Sequence, residues 1–356
     1  MMRTLAAVFI YMSLISRVDA WFPTTYPDYC SRDMSTREIP PLTTQEQQQI
    51  DQLLQAQVLI RHGARTPYMK YSCWKDYDLH WDNCNVTEVM YTSPSLYETS
   101  TQWLFRKLYD GSPNFLGGHC KTGQLLEGGF QQESTNGLIL RKAYIGPHKF
   151  NLLKSHVWGL NNPKKIYFRS DDEQRTLMSG QSLVHSLFDV HAQAIIDWHT
   201  GDYQLDTLYP NSLVCPRLEN ISSEAFASRA YLESPAQQSK HTLETELNGM
   251  FGEGDWSWTF MIDCLMTSVC NDHDIPSGAL GGAQMSDALF NELVAYQEFD
   301  YFYKFTYENS FYAKMAMSNV AYMLRTRMEA AMRGDADAME FVLFGKNVSL
   351  LWFGIE

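Results

Sequence analysis

Three short apolar runs, Val58–Ile60, Ile166–Phe168 and Phe341–Phe344, constrain this chain most. Each is long enough for a buried strand, and each is followed at once by polar residues. The segments between them carry helical patterns, so consecutive strands need crossover connections and pair in parallel. The expected class is therefore α/β, with a central, mostly parallel sheet flanked by helices. After the second run, Ser170-Asp171-Asp172-Glu173 fits a capping box, and Leu177, Leu183, Val184 and Leu187 recur at roughly helical spacing. Phe311 to Arg333, rich in Met, Ala and Arg and free of proline, predicts a second long helix whose methionines serve as core packing.

Two stretches break this pattern. Residues 69–120 hold three cysteines, two tryptophans between Cys73 and Cys84 and little periodicity, which reads as a loop-rich insertion over the sheet. Residues 199–299 mix short apolar segments with Asp202, Asp206, Pro210, Pro216, Pro235 and Pro276, which suits a smaller, mostly helical cap domain. The α/β domain is then expected to comprise residues 21–198 and 300–356, with an atypical end at 345–356.

The first twenty residues read as an address. Arg3 supplies a positive start, Leu5 to Ile15 an apolar stretch and Val18-Asp19-Ala20 a cleavage site, so 1–20 is expected to be a signal peptide. The apolar stretch is about half the ~20 residues a membrane span requires. A secreted or lysosomal location follows, and three Asn-x-Ser/Thr sequons at Asn85, Asn220 and Asn347 agree with it. Seven cysteines suit an oxidising compartment, and the odd number leaves one unpaired. No Cys-x-x-Cys pair occurs, so zinc is not expected and no metal or cofactor is called for. A formal net charge of −13 without a basic stripe argues against nucleic acid or an anionic membrane surface as partner.

Against that acidic background, residues 58–69 read V-L-I-R-H-G-A-R-T-P-Y-M. In an open α/β sheet ligands bind beyond the carboxyl ends of the strands. Arg61, His62 and Arg65 occupy that place after the first run, and Arg169 occupies it after the second. Guanidinium forks match phosphate oxygens bidentately and stay charged at neutral pH. Three of them around one histidine define a site for a phosphoryl dianion. Gly63 permits close backbone approach, and Pro67 fixes the exit of the turn.

On these residues the chain resembles the histidine acid phosphatases of the lysosomal and prostatic type. Arg61-His62-Gly63-Ala64-Arg65-Thr66-Pro67 is similar to the family's R-H-G-x-R-x-P string. Gly123-Gln124-Leu125, Arg169-Ser170-Asp171-Asp172 with Arg175-Thr176-Leu177-Met178-Ser179, His199-Thr200 leading to Asp206, and Cys215-Pro216-Arg217 follow in the family's order. The resemblance implies a phosphoglycerate mutase-like fold and an acid phosphatase that hydrolyses phosphomonoesters. In it His62 becomes a covalent phosphohistidine while Arg61, Arg65 and Arg169 bind substrate. The partner is then a phosphomonoester substrate, and a homodimer is left open.

The family also places a His-Asp pair after a late strand, and none follows Phe344. His273-Asp274 lies in a polar stretch instead, close behind Cys270 and before Pro276. Asp171 and Asp172 are read as partners that orient arginines. Two accounts of the end stand open. Gly345-Lys346 can be encoded GGT-AAG, the start of an intron, so one takes residues 345 onward as translated intron and the chain as a truncated gene model. The other takes a real short form, a phosphate-binding pseudoenzyme. A phytase-like action on inositol phosphates is a further alternative, although it calls for a more basic pocket.

Overall fold

The computed structural model describes residues 20–21, 30, 34–68, 73–74, 77, 79–84, 89–91, 104–106, 116–145, 151–153, 165–189, 196–252, 258–276 and 285–346. The predicted leader lies outside them except for Ala20, as do most of the 69–120 stretch, residues 347–356 and the sequons at Asn85 and Asn347. Asn220 is exposed on a helix.

The three apolar runs form strands β1 (Ala56–Arg61), β2 (Ile166–Ser170) and, last in the chain, β4 (Phe341–Lys346); β3 (Trp198–Thr200) is the fourth. They make one parallel sheet in the order β1-β4-β2-β3. Among the strands, β4 alone is buried at every position, as a strand paired on both edges and covered on both faces should be. Lys346 pairs with Arg61 and Gly345 with Ser170, so the carboxyl ends of all three strands finish level.

Helices α1 (Glu127–Tyr144) and α2 (Gln174–Leu187) cover one face. There Leu140, Leu183, Val184 and Leu187 meet Ile166, Phe168, Phe341 and Leu343. Next in the chain come α3 (Arg217–Ala227), α4 (Pro235–Phe251), α5 (Trp258–Cys270), α6 (Asp287–Ala316) and α7 (Ser318–Arg333). The last of these closes the other face, with Val320 against Val342 and Phe344. A separate core joins α4, α5 and the first half of α6 through Leu243, Leu247, Leu265, Phe290 and Leu293.

Several details differ from expectation. The predicted capping box does not form. Ser170 ends β2, with its hydroxyl donating to the Asp171 carbonyl and accepting from the Trp198 indole, and Glu173 takes the cap position without a side-chain hydrogen bond. The helix predicted over 311–333 is broken at Met317, whose φ/ψ of −105° and 4° leaves the helical region. The 299/300 boundary falls inside α6, which is itself interrupted at Tyr307–Ser310, where Glu308, Asn309 and Ser310 all have positive φ. Several described residues of the 69–120 stretch pack with α4, α5 and α6. Trp74, Tyr77 and Trp81 belong to the helical core, and a disulfide joins Cys73 to Cys264 on α5. Further disulfides are Cys30–Cys270 and Cys84–Cys120, leaving Cys215 as the unpaired cysteine.

Candidate active site

His62 follows the last residue of β1, and its backbone N–H donates to the Lys346 carbonyl at 3.3 Å, tying the tips of β1 and β4 together. The turn beyond it is pressed against the start of α1. A Cβ on Gly63 would lie 2.2 Å from the Gly129 carbonyl oxygen, and one on Gly129 would lie 2.2 Å from that of Ala64. Only glycine fits either place. The Ser179 hydroxyl and the Gln132 side chain accept from the N–H groups of Gly63 and Ala64, fixing the turn to α2 and α1.

The imidazole is buried at 6% exposure. Its Nδ1 lies 2.8 Å from the Gly63 carbonyl, which can only accept, so Nδ1 carries the proton. Nε2 is then the lone-pair nitrogen, and it is buried with no hydrogen-bond partner among the described residues. Burial, and next the charges of Arg61, Arg65 and Arg175, hold the ring well below the usual histidine range. The resting imidazole is thus neutral, with its nucleophilic nitrogen free.

The three guanidiniums are held differently. Arg65 makes a two-pronged pair with Asp263 of α5, at 2.8 and 3.2 Å, and the same carboxylate accepts from the Tyr68 N–H. Arg175, in the first turn of α2, is 4% exposed, bonds Glu173 at 3.1 Å and lies over the Tyr68 ring. Arg61 makes no hydrogen bond or ion pair with any other described residue. Although over a third of its surface is accessible, protein atoms crowd its base; that crowding, with Arg65, pushes it down to about 10. It remains charged at neutral pH.

Arg169 stands elsewhere. Along β2 the side chains alternate, and Ile166, Phe168 and Ser170 take the face toward α1 and α2. Arg169 therefore points to the α7 face, where it pairs with Asp206 at 2.9 Å and contacts Met323 Sδ. Lys346 lies on that face too, with Nζ 3.6 Å from Met317 Sδ. Burial drives it down to about 7 against the opposing pull of Asp171 and Asp206. His273 packs its ring 4.0 Å from Trp81 within the helical core. The structure thus gathers Arg61, His62, Arg65 and Arg175, and sets Arg169 with Asp206.

Sequence reasoning assigned no role to two residues of this cluster. Asp263 is separated from Arg65 by 198 positions and carries no local signal. Arg175 does carry one, because a cation in the first turn of a helix opposes the helix dipole and needs an anion to justify it.

A level-ended parallel sheet with a buried, unprotonated imidazole nitrogen near three guanidiniums past its strand tips marks an α/β protein with a cation-rich site at the carboxyl ends of its strands. The chain belongs to the histidine phosphatase superfamily (branch 2), whose family model matches residues 52–340. It is 29% identical over 238 residues to counting factor 60 of Dictyostelium discoideum, covering 64% of this chain and 55% of that one. It is also 26% identical to bovine lysophosphatidic acid phosphatase type 6, over 58% of this chain and 49% of that one, and 29% identical to mouse prostatic acid phosphatase, over 48% and 46%. The chain spans about half the length of the curated relatives it matches. Among solved structures, the phytase of Citrobacter braakii shares the fold, with a TM-score of 0.51 and 14% identity over 83% of this chain and 72% of that one.

Proposed function

We propose that this chain is a phosphomonoesterase of the acid phosphatase type, working through a covalent phosphohistidine at His62. The observation that carries the reading is the buried, partnerless Nε2 beside three guanidiniums, one of which, Arg61, also lacks a partner among the described residues. Nε2 attacks phosphorus, the P–N bond forms as the P–O bond to the alcohol breaks, and the departing oxygen takes a proton from solvent water. Water then attacks phosphorus, releasing phosphate and restoring the imidazole.

Arg61, Arg65 and Arg175 hold the non-bridging oxygens as charge builds, which is the larger part of catalysis in phosphoryl transfer. Arg169, expected to bind substrate, serves instead to fix Asp206. The paired carboxylates Asp263 and Glu173 keep two of the cations oriented before substrate arrives, so that little reorganisation accompanies the reaction. Broad specificity, an acidic optimum and a secreted or lysosomal location complete the reading. Three disulfides support the last of these.

The test is a rapid quench with a 32P-labelled aryl phosphate. An acid-labile, base-stable phosphoenzyme is expected in the native chain and none in His62→Ala, which should still bind phosphate. Binding of phosphate by the native chain with neither label nor turnover would mark a phosphate-binding pseudoenzyme.

A further inference from the structure

The turn from His62 to Tyr68 is held from outside by groups beside each of the three disulfides found among the described residues. Cys120 is followed by Lys121, whose carbonyl accepts from the Thr66 hydroxyl at 2.7 Å. The Cys30 carbonyl lies 3.5 Å from Gln132 Nε2, and the oxygen of that amide accepts from the Ala64 N–H at 2.9 Å. Asp263, the residue before Cys264, takes the Arg65 guanidinium at 2.8 and 3.2 Å and the Tyr68 N–H at 2.8 Å.

Asp263 thereby bears on two of the three cations. It holds Arg65 directly, and through Tyr68 it fixes the residue whose ring lies 5.4 Å from the Arg175 guanidinium carbon. A side-chain clamp places a cation only as well as its own base is placed. The base here is α5, and Cys73, its disulfide partner, comes five positions after Tyr68 in the chain. Disulfide and hydrogen bond thus join the same two segments at neighbouring points. A cross-link anywhere along α5 would serve stability alone. This one adjoins the carboxylate that places the cations.

We propose that Asp263 is a positioning residue whose hold on Arg65 depends on the closed Cys73–Cys264 disulfide, so that turnover, and not stability alone, requires this cross-link. The inference rests on the phosphatase reading, since it takes Arg65 as a group that meets the phosphoryl oxygens.

The experiment compares the full chain in four forms: native, Asp263→Asn, Cys73→Ser with Cys264→Ser, and all three changes together. The substrate is an aryl phosphate, inorganic phosphate is the inhibitor, and calorimetry checks folding. An ångström of misplacement costs up to about 10²-fold. Asp263→Asn should lower kcat/KM toward that figure and weaken inhibition by phosphate. The folded serine pair should lose activity in the same sense, and adding Asp263→Asn to it should cost little more, because both act through Arg65. Full activity in either variant, or losses that multiply, overturns the proposal. Should the serine pair fail to fold, graded dithiothreitol on the native chain, with alkylated peptides mapped, takes its place. Activity that falls as Cys73–Cys264 opens and before the circular dichroism changes supports the proposal, and activity lost only with the fold overturns it. A native chain without turnover fails the phosphatase reading by itself; calorimetric binding of inorganic phosphate then replaces kcat/KM, with the same pattern expected and the same results overturning it.

Discussion

Exchanging arginine for methionine at two positions separates a cation that works on substrate from one that works on the fold. Arg175 is buried beside His62, and its carboxylate partner Glu173 keeps a quarter of its side chain in water, so that carboxylate stays solvated when Arg175 is removed. The cost falls on the transition state. One charged donor facing developing negative oxygen contributes roughly 10² to 10³ in rate, about 2.7–4 kcal/mol. Arg175→Met should therefore lower kcat/KM on an aryl phosphate by that factor at nearly native stability. Arg169 offers the opposite balance. Its partner Asp206 has a fully buried side chain with one oxygen already lacking a hydrogen-bond partner. Breaking a buried pair by removing one member costs about 3–5 kcal/mol. The Leu208 N–H still donates to Asp206, which places the loss near the low end, about 3 kcal/mol. Arg169→Met should lower Tm by roughly 5 °C while the folded fraction turns over almost normally, and a further Asp206→Leu change should recover part of the loss. The assays are steady-state kinetics and differential scanning calorimetry on both variants. A native-like kcat/KM in Arg175→Met, or a 10²-fold kinetic loss in Arg169→Met at unchanged Tm, would refute the assignment.

The pH profile supplies a second prediction. His62 must be neutral at Nε2 to attack, and burial together with three neighbouring cations depresses its pKa, so lowering the pH removes the nucleophile only well below 6.5. The acid limb of kcat/KM for the free enzyme should lie there, and Arg175→Met should move it upward by relieving repulsion; an acid limb at or above 6.5 counts against a buried nucleophile. Third, Gly63→Ala puts a Cβ against the Gly129 backbone, which cannot swing aside as a side chain can. A stability loss of about 1–3 kcal/mol is expected, with turnover falling further than the melting temperature explains because the displaced turn carries His62. Native-like kinetics in that variant would mean that the contact between the turn and α1 does not position the imidazole.

What the sequence made legible follows from the range of the forces involved. The strands at Val58, Ile166 and Phe341 were readable because a parallel strand is buried on both faces and so is apolar without interruption. The same continuity hid the site's third cation. In a run that is apolar at every position, nothing local says which parity faces which helix layer, so Arg169 and Ser170 look equally able to reach past the strand end. The sheet decides it. Phe168 packs among Leu183, Val184 and Leu187, which sends its neighbour Arg169 through to the α7 face. Arg175 satisfied two local criteria together, a place near a strand's carboxyl end and a charge of the wrong sign for a helix start. That second criterion concerns electrostatic cost, and such a cost is tolerated where a ligand or partner offsets it. Asp263 satisfied none, because its role exists only once the chain between positions 65 and 263 has folded and α5 is pinned through Cys73–Cys264 and Cys30–Cys270. The residues proposed to touch an anion were within reach of the sequence. Those that hold the cations in place depended on packing, and they are the ones that separate a cluster of arginines from a site.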